Sequence, residues 1–379
     1  MSSVAIIDIG STSVGGALLN VSRQPRGKKV GKTCVEITKA ARHSINFQEE
    51  IDIKRFLVGM DNALKQTVAE LQANNQSAPS RIICFLSSPF HASQTRLINH
   101  AEPKPFTVTP RLVADLMLAE LEKFSDSRHE IIENKIMQIK LNGYPTTAPY
   151  RKRASELSLA NFVSVASHDT LERFQKIIIG GFHQSRIEWH SFAFTFFNIL
   201  SEFLGQGHDF LLLDIGGEIT ELSLSWRSLL WNTASFPLGR NALVRQLARE
   251  LGTTNDEAAS SLQLYLERKQ QPMAAGKVER ALGMAKEKWL SAFRESLSRV
   301  VDGAFLPANI YLVGDLLILP LFKDWLTAES FDSFTISDKK LSVSIIEDGW
   351  LDRFCDHGAS TKRDLSIMVE AIFCDKLLA

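Results

Sequence analysis

Two segments of this chain share one layout. "AIIDIGSTSVGGALL" starts at Ala5 and "LLLDIGGEITELSL" starts at Leu211. Each reads as an apolar strand ending in Asp-Ile-Gly, then small or hydroxyl residues, then a second apolar strand. Asp-x-Gly after one strand is ordinary turn chemistry. Two copies at half-chain distance, with their aspartates at positions 8 and 214 of 379, imply a chain built from two related halves.

The paired element has a specific chemical use. Glycines in a hairpin turn let backbone approach closely, and successive N–H groups there form an anion-binding nest. The hydroxyls of Ser11, Thr12 and Ser13 add donors for phosphate oxygens. An aspartate at a strand end cannot hold phosphate, but it can hold a hydrated Mg²⁺ or orient a water molecule. Two such hairpins facing each other would grip a polyphosphate from both sides. The chain has neither a Gly-x-x-x-x-Gly-Lys-Ser/Thr loop nor a Gly-x-Gly-x-x-Gly after a strand, which argues against P-loop and dinucleotide-binding sites.

Around this pair the pattern is mixed α/β. Residues 4–9, 14–22 and 33–46 read as strands, 52–72 as an amphipathic helix, 74–80 as a loop and 81–87 as a buried strand. In 88–166, a helix is expected from Thr109-Pro110 and strands around the Asn142-Gly143 turn. A helix is expected at 168–182, and 187–204 is apolar enough for a buried helix. After the second hairpin, "NTASFPLGRNALVRQLAREL" gives a strand, a Pro-Leu-Gly loop and a helix, and helices continue at 254–269 and 276–301. The last of these carries the stripe Val278, Ala281, Leu282, Ala285, Trp289, Phe293 and Leu297. A strand, glycine turn and helix at 308–326 and an amphipathic helix at 363–378 complete the chain.

Composition narrows the setting. Lys+Arg and Asp+Glu are equal at 43 each, so no net field draws nucleic acid or anionic lipid. The four cysteines, Cys34, Cys84, Cys355 and Cys374, are far apart and form no CxxC pair, against a zinc site or disulfide framework. No apolar run approaches the roughly 18 residues that span a bilayer, and Asp8 interrupts the only candidate signal segment. Asn20-Val21-Ser22 fits the glycosylation pattern but carries no meaning without a secretion signal. A cytoplasmic protein is expected, with no direct membrane insertion.

The paired motifs resemble the phosphate loops of the actin, sugar-kinase and DnaK-type chaperone superfamily. "IYLVGDLLILP" (310–320) resembles its adenosine loop, and "HSFAFTFFNIL" (190–200) its connecting helix. Within it the chain is most similar to the FtsA/PilM branch, which carries a small α+β insert where this chain has 88–166. The resemblance implies an actin-like (ribonuclease H-like) α/β fold of two halves with a nucleotide cleft. It divides the chain into a first actin-like subdomain (1–87 and 167–207), the insert (88–166), a second actin-like subdomain (208–240 and 302–379) and a helical subdomain (241–301). The last helix is able to pack back on the first half.

Carried over by position, Gly10, Ser11 and Thr12 form the first phosphate loop and Gly216, Gly217 and Thr220 the second. Gly314 and Asp315 border the adenosine pocket. Asp8 and Asp214 are the catalytic candidates, holding Mg²⁺ through water. The implied cofactors are ATP and Mg²⁺. Departures from the pattern point to weak or absent turnover, at most a slow ATPase. Gly15 stands where a lysine is common, Glu218 where a small residue is usual, and Asp315-Leu316 where further glycines are usual. The nearest match to the connecting helix's Glu or Gln is His190, for which a structural role is the expectation.

The resemblance further implies a scaffold that recruits the cytoplasmic tail of an inner-membrane protein in type IV pilus assembly, at the inner membrane face through its partners. The insert, with "FLSSPFHASQTRLI" beside it, is the expected docking region. The alternative is an FtsA-like cell division protein that polymerises and hydrolyses ATP slowly. The acidic residues of "IMVEAIFCDKLLA" fit a packed terminal helix better than a basic membrane-lying one. Self-association or filament formation belongs to either reading.

Overall fold

The computed structural model describes the chain except residues 1, 22–34, 51, 74–77, 125–126, 185, 206, 270, 337–339, 353, 358–362 and 379. Cys34, Ser22, the first residues of the third strand and the start of the 74–80 loop lie outside the described residues.

The chain opens with β1 (Ser2–Ile9) and β2 (Ser13–Val21), an antiparallel hairpin, followed by β3 (Val35–Ser44) against β2. Next comes α1 (Ile53–Gln72), capped by the Asp52 carboxylate on Arg55 N–H, with Met60, Ala63, Leu64, Val68 and Leu71 on its buried face. Then β4 (Arg81–Leu86) runs parallel to β1. The block that follows contains β5 (Ala92–Thr107), α2 (Pro110–Leu121), β6 (His129–Leu141), β7 (Tyr144–Pro145) and β8 (Arg153–Ser167). Helix α2 starts as expected, with the Thr109 hydroxyl accepting from Leu112 N–H and Pro110 in its first turn. Asn142 (φ 50°) and Gly143 (φ 82°) are both left-handed, the conformation a tight hairpin turn demands.

The chain returns through α3 (His168–Phe182), β9 (Ile187–Ser191) and α4 (Phe192–Leu204). The remainder is β10 (Phe210–Ile215), β11 (Thr220–Trp226), β12 (Leu229–Phe236), α5 (Arg240–Leu251), α6 (Asn255–Leu266), α7 (Pro272–Val300), β13 (Asn309–Gly314), α8 (Leu319–Ala328), β14 (Ser342–Ile345), β15 (Asp356–His357) and α9 (Leu365–Leu378).

Two sheets organise these elements. One has the order β15-β3-β2-β1-β4-β9, the other β14-β13-β10-β11-β12-β5-β8-β6-β7. Each sheet places an Asp-Ile-Gly hairpin beside parallel strands. The inserted block is hydrogen-bonded into the second sheet: Asn232 of β12 pairs with Gln94 of β5, and the Thr233 hydroxyl donates to Ser93 O at 2.9 Å. One core joins both sheets around α4 and α9, drawing on Val4 and Ile6, Phe192, Phe196, Leu212, Val313 and Met368. The α7 stripe is buried throughout as read from sequence.

Two sequence readings need correction. Residues 187–204 are not one helix, because Ile187–Ser191 forms a strand parallel to β4. The Ser191 hydroxyl then caps Phe194 N–H, so the helix begins only at Phe192. Helix α9 is not amphipathic: residues 367–374 are buried without a break, because it packs against β1, β2 and β3 on one side and α4 on another. Ile367, Met368, Val369, Ile372 and Phe373 each contribute about 1.5–3 kcal/mol by this burial.

Candidate functional site

Both Asp-Ile-Gly hairpins close with the same bond. Gly10 N–H donates to Ser13 O at 3.1 Å, and Gly216 N–H to Ile219 O at 2.9 Å. Their tips meet across the gap between the sheets. The Ser11 hydroxyl accepts from Glu218 N–H at 3.3 Å. Thr12 lies so close to Gly217 that a Cβ there would stand 2.0 Å from Thr12 Cγ2. The second hairpin is held from behind by the start of α5, where Arg240 and Asn241 N–H donate to Gly216 O and Gly217 O. Among the described residues, Ser11, Thr12 and Gly217 N–H donate to no carbonyl, which leaves both tips with open anion donors.

Strand parity decides which side chains reach the gap. In β10, Leu211, Leu213 and Ile215 enter the helical-side core, so Asp214 faces the other way. Leu222 and Leu224 of β11 enter that same core, which turns Glu221 to the side of its cross-strand neighbour Asp214. In β1, Ala5, Ile7 and Ile9 pack toward α1 and Asp8 is on the opposite face. These residues line a cleft of about 770 Å³ that also reaches Gly314, Asp315 and Asp364.

Asp8, Gly10, Ser11, Thr12, Asp214, Gly216, Gly217, Gly314 and Asp315 are therefore brought to one cleft. Thr220 is not. It shares the parity of Leu222, and its hydroxyl donates to Leu238 O at 2.8 Å while accepting from Trp289 Nε1–H at 3.2 Å. Glu218 places no free carboxylate at the cleft: Asn241 donates to it at 2.8 Å and Arg245 pairs with it. His190 is a buried structural histidine, 3.0 Å from Glu133 and packed on Phe85 and Phe373. Gly314 (φ 143°) is required by the backbone itself, since a Cβ would stand 2.4 Å from Ile215 O.

The residue that sequence reasoning missed is Arg42. In the β2–β3 register it is the partner of Gly15. Its guanidinium crosses the bare Cα of Gly15, where a Cβ would stand 2.6 Å from Nη2. Nη2 donates to Asp8 at 2.5 Å, Nη1 to the Ser13 hydroxyl at 2.9 Å, and Nε to Asp364 at 2.5 Å. Burial alone would lower the guanidinium pKa, but Asp8 and Asp364 outweigh it and raise it further. The cation missing from position 15 thus arrives from the adjacent strand. No local motif marks Arg42; only the long-range register does.

Other groups complete the electrostatics. Burial raises the Asp8 carboxyl against the pull of Arg42. Asp214 is pushed up to about 8 by burial, then by Glu221 and Asp8. Behind Glu221, His91 Nε2 lies 3.4 Å from its carboxylate, and that charge raises His91 despite burial. Beneath Asp8, Glu370 is fully buried, and burial and Asp8 raise it well above the usual carboxyl range. Asp315 caps Leu317 N–H and accepts from Arg240 at 3.0 Å.

The donor set does not fit Mg²⁺ at Asp8 and Asp214. Asp8 already holds a guanidinium, and burial disfavours the charged form of Asp214. Among the described residues, no group of three or more His, Cys, Asp or Glu is arranged to hold a metal, and no helix is long and apolar enough to cross a membrane.

No family model and no curated protein matches this sequence. Solved structures do match. The chain is similar to the PilM-PilN type IV pilus biogenesis complex, at 15% identity and TM-score 0.58, over 99% of this chain and 97% of that chain. It is also similar to an MreB of Spiroplasma citri bound to AMPPNP, at 10% identity and TM-score 0.48, over 100% and 97%. A Bacteroides thetaiotaomicron protein described as having an actin-like ATPase fold and unknown function matches at 9% identity and TM-score 0.43, over 98% and 96%. The likeness is one of fold, and the fold is the actin-like one.

Proposed function

We propose that this actin-fold protein is a nucleotide-binding scaffold of the PilM type, recruiting the cytoplasmic tail of an inner-membrane protein in type IV pilus assembly, with little or no hydrolysis. The carrying observation is the meeting of the two hairpin tips, Ser11-Thr12 on Gly217-Glu218, with open N–H donors beside a cleft. ATP fits this arrangement with its phosphates at Gly10, Ser11, Thr12, Gly216 and Gly217, and its adenosine toward Gly314 and Asp315. The PilM-PilN likeness, which spans nearly the whole chain, supports the pilus reading.

Hydrolysis needs a group that orients and deprotonates water. Arg42 occupies Asp8, which leaves that carboxylate unavailable to orient water, and burial disfavours the charged form of Asp214. Recruitment through partners keeps the protein peripheral at the membrane face, and the balanced charge disfavours nucleic acid.

The test is a titration of ATP with Mg²⁺ that follows thermal stability and phosphate release together. Stabilisation of several degrees without release is expected. Steady release, abolished by Asp214→Ala, overturns the scaffold reading. Peptides copying the cytoplasmic tails of pilus inner-membrane proteins should bind the full chain, and failure of every such tail overturns the pilus assignment.

A further inference from the structure

We propose that Arg42 is a built-in occupant of the cation position in this cleft, so that a metal–nucleotide complex binds only in competition with it. The inference rests on the nucleotide reading above and names what regulates that site.

The first support is geometric. A divalent ion serving a triphosphate between these hairpins needs a carboxylate free to hold its water shell. Arg42 Nη2 sits 2.5 Å from Asp8, and its neighbouring nitrogen binds Ser13 of the first hairpin, one residue from the tip. A guanidinium so placed fills both the charge and the space.

The second support is that the other carboxylates lining the cleft offer no substitute. Asp364 is held by Arg42, Asp315 by Arg240 at 3.0 Å and Glu221 by His91 at 3.4 Å. Arg363 lies 3.8 Å from Asp348 and 3.0 Å from Asp352. Asp214 alone has no ion-pair partner among the described residues, and its carboxylate neighbours Asp8 and Glu221 are both engaged. A phosphate site that depends on a metal keeps carboxylates waiting for it; here every described carboxylate lining the cleft except Asp214 has a cationic partner.

The third support is the tie to α9. Asp364 precedes that helix, accepts from Ile367 N–H at 3.3 Å and grips Arg42 through both oxygens. Arg42 therefore fastens β3 and the first hairpin to the chain's last helix. Glycine at position 15 is what lets the guanidinium cross the strand. A lysine there would collide with Arg42, so the chain carries one arrangement or the other.

The test compares wild type with Arg42→Gln, which removes the charge but keeps a hydrogen-bonding side chain, by calorimetric titration of ATP in Mg²⁺ and in EDTA. Arg42→Gln should bind Mg-ATP at least about tenfold tighter than wild type, the scale of one charge-assisted contact, and gain nothing in EDTA. The double variant Asp8→Asn/Arg42→Gln replaces the ion pair by a neutral pair and should fold while losing the gain. Wild-type binding that Arg42→Gln leaves unchanged or weakens overturns the inference and leaves the nucleotide reading intact. Tightening that persists in EDTA also overturns it. Absence of binding by wild type and variant alike, both folded by circular dichroism and in millimolar ATP, overturns the nucleotide reading and this inference together.

Discussion

Asp214→Asn should make this protein more stable, by an amount that grows with pH. The Asp214 carboxyl titrates near 8 in the folded chain against an ordinary value of 3.8. Between those values the native state holds a proton that the unfolded chain has released, so stability is full below about pH 4 and falls as pH rises through 8. At about 1.4 kcal/mol per pKa unit the whole gap sets an upper bound of about 6 kcal/mol. The cleft admits water, so the measured gap should lie at or below this bound. Asparagine has the same shape as the protonated acid and does not titrate. Urea unfolding of both proteins from pH 5 to 9 gives the difference directly, and the Asp214 carboxyl carbon followed by NMR gives the titration itself. The variant's advantage should climb from pH 5 to 8 and level off above. An advantage that is flat with pH, or a carboxyl that titrates near 4, refutes the argument.

Two further substitutions probe the hairpins and their surroundings. Gly239→Ala puts a Cβ 2.4 Å from Gly216 O, a backbone atom, and should cost about 3 kcal/mol. Gly217→Ala meets only the Thr12 side chain and should cost about 1 kcal/mol; equal melting losses would contradict the difference in what each Cβ meets. Thr220→Val removes the acceptor for Trp289 Nε1–H and the donor to Leu238 O. It should lower urea stability by about 1–3 kcal/mol while leaving ATP affinity unchanged, whereas a loss of ATP affinity would return Thr220 to the cleft.

What could be read from the sequence was local. The Thr109-Pro110 helix start, the Asn142-Gly143 turn and the two Asp-Ile-Gly hairpins are each set by the chemistry of a few adjacent residues. Thr220 was misread although the sequence held the answer, since alternation from Leu222 and Leu224 places it on their face. Arg42 was out of reach, because nothing near it in sequence says that it will cross Gly15 to Asp8 and Asp364. Ile187–Ser191 looked helical because its apolar content continues into a helix, and only a free edge beside β4 makes it a strand. The joining of β5 to β12 is likewise a pairing between distant segments.

That joining has a mechanical consequence. A cleft between two sheets can widen only if the segments that bridge them give way. Here the insert leaves the first half after β4 yet is laced edge to edge with the second through Gln94, Ser93 and Thr95. It acts as a strap across the jaw, so a wide gape must first tear strand bonds. The force of any partner pulling on the insert would be delivered straight to the sheet that carries Asp214.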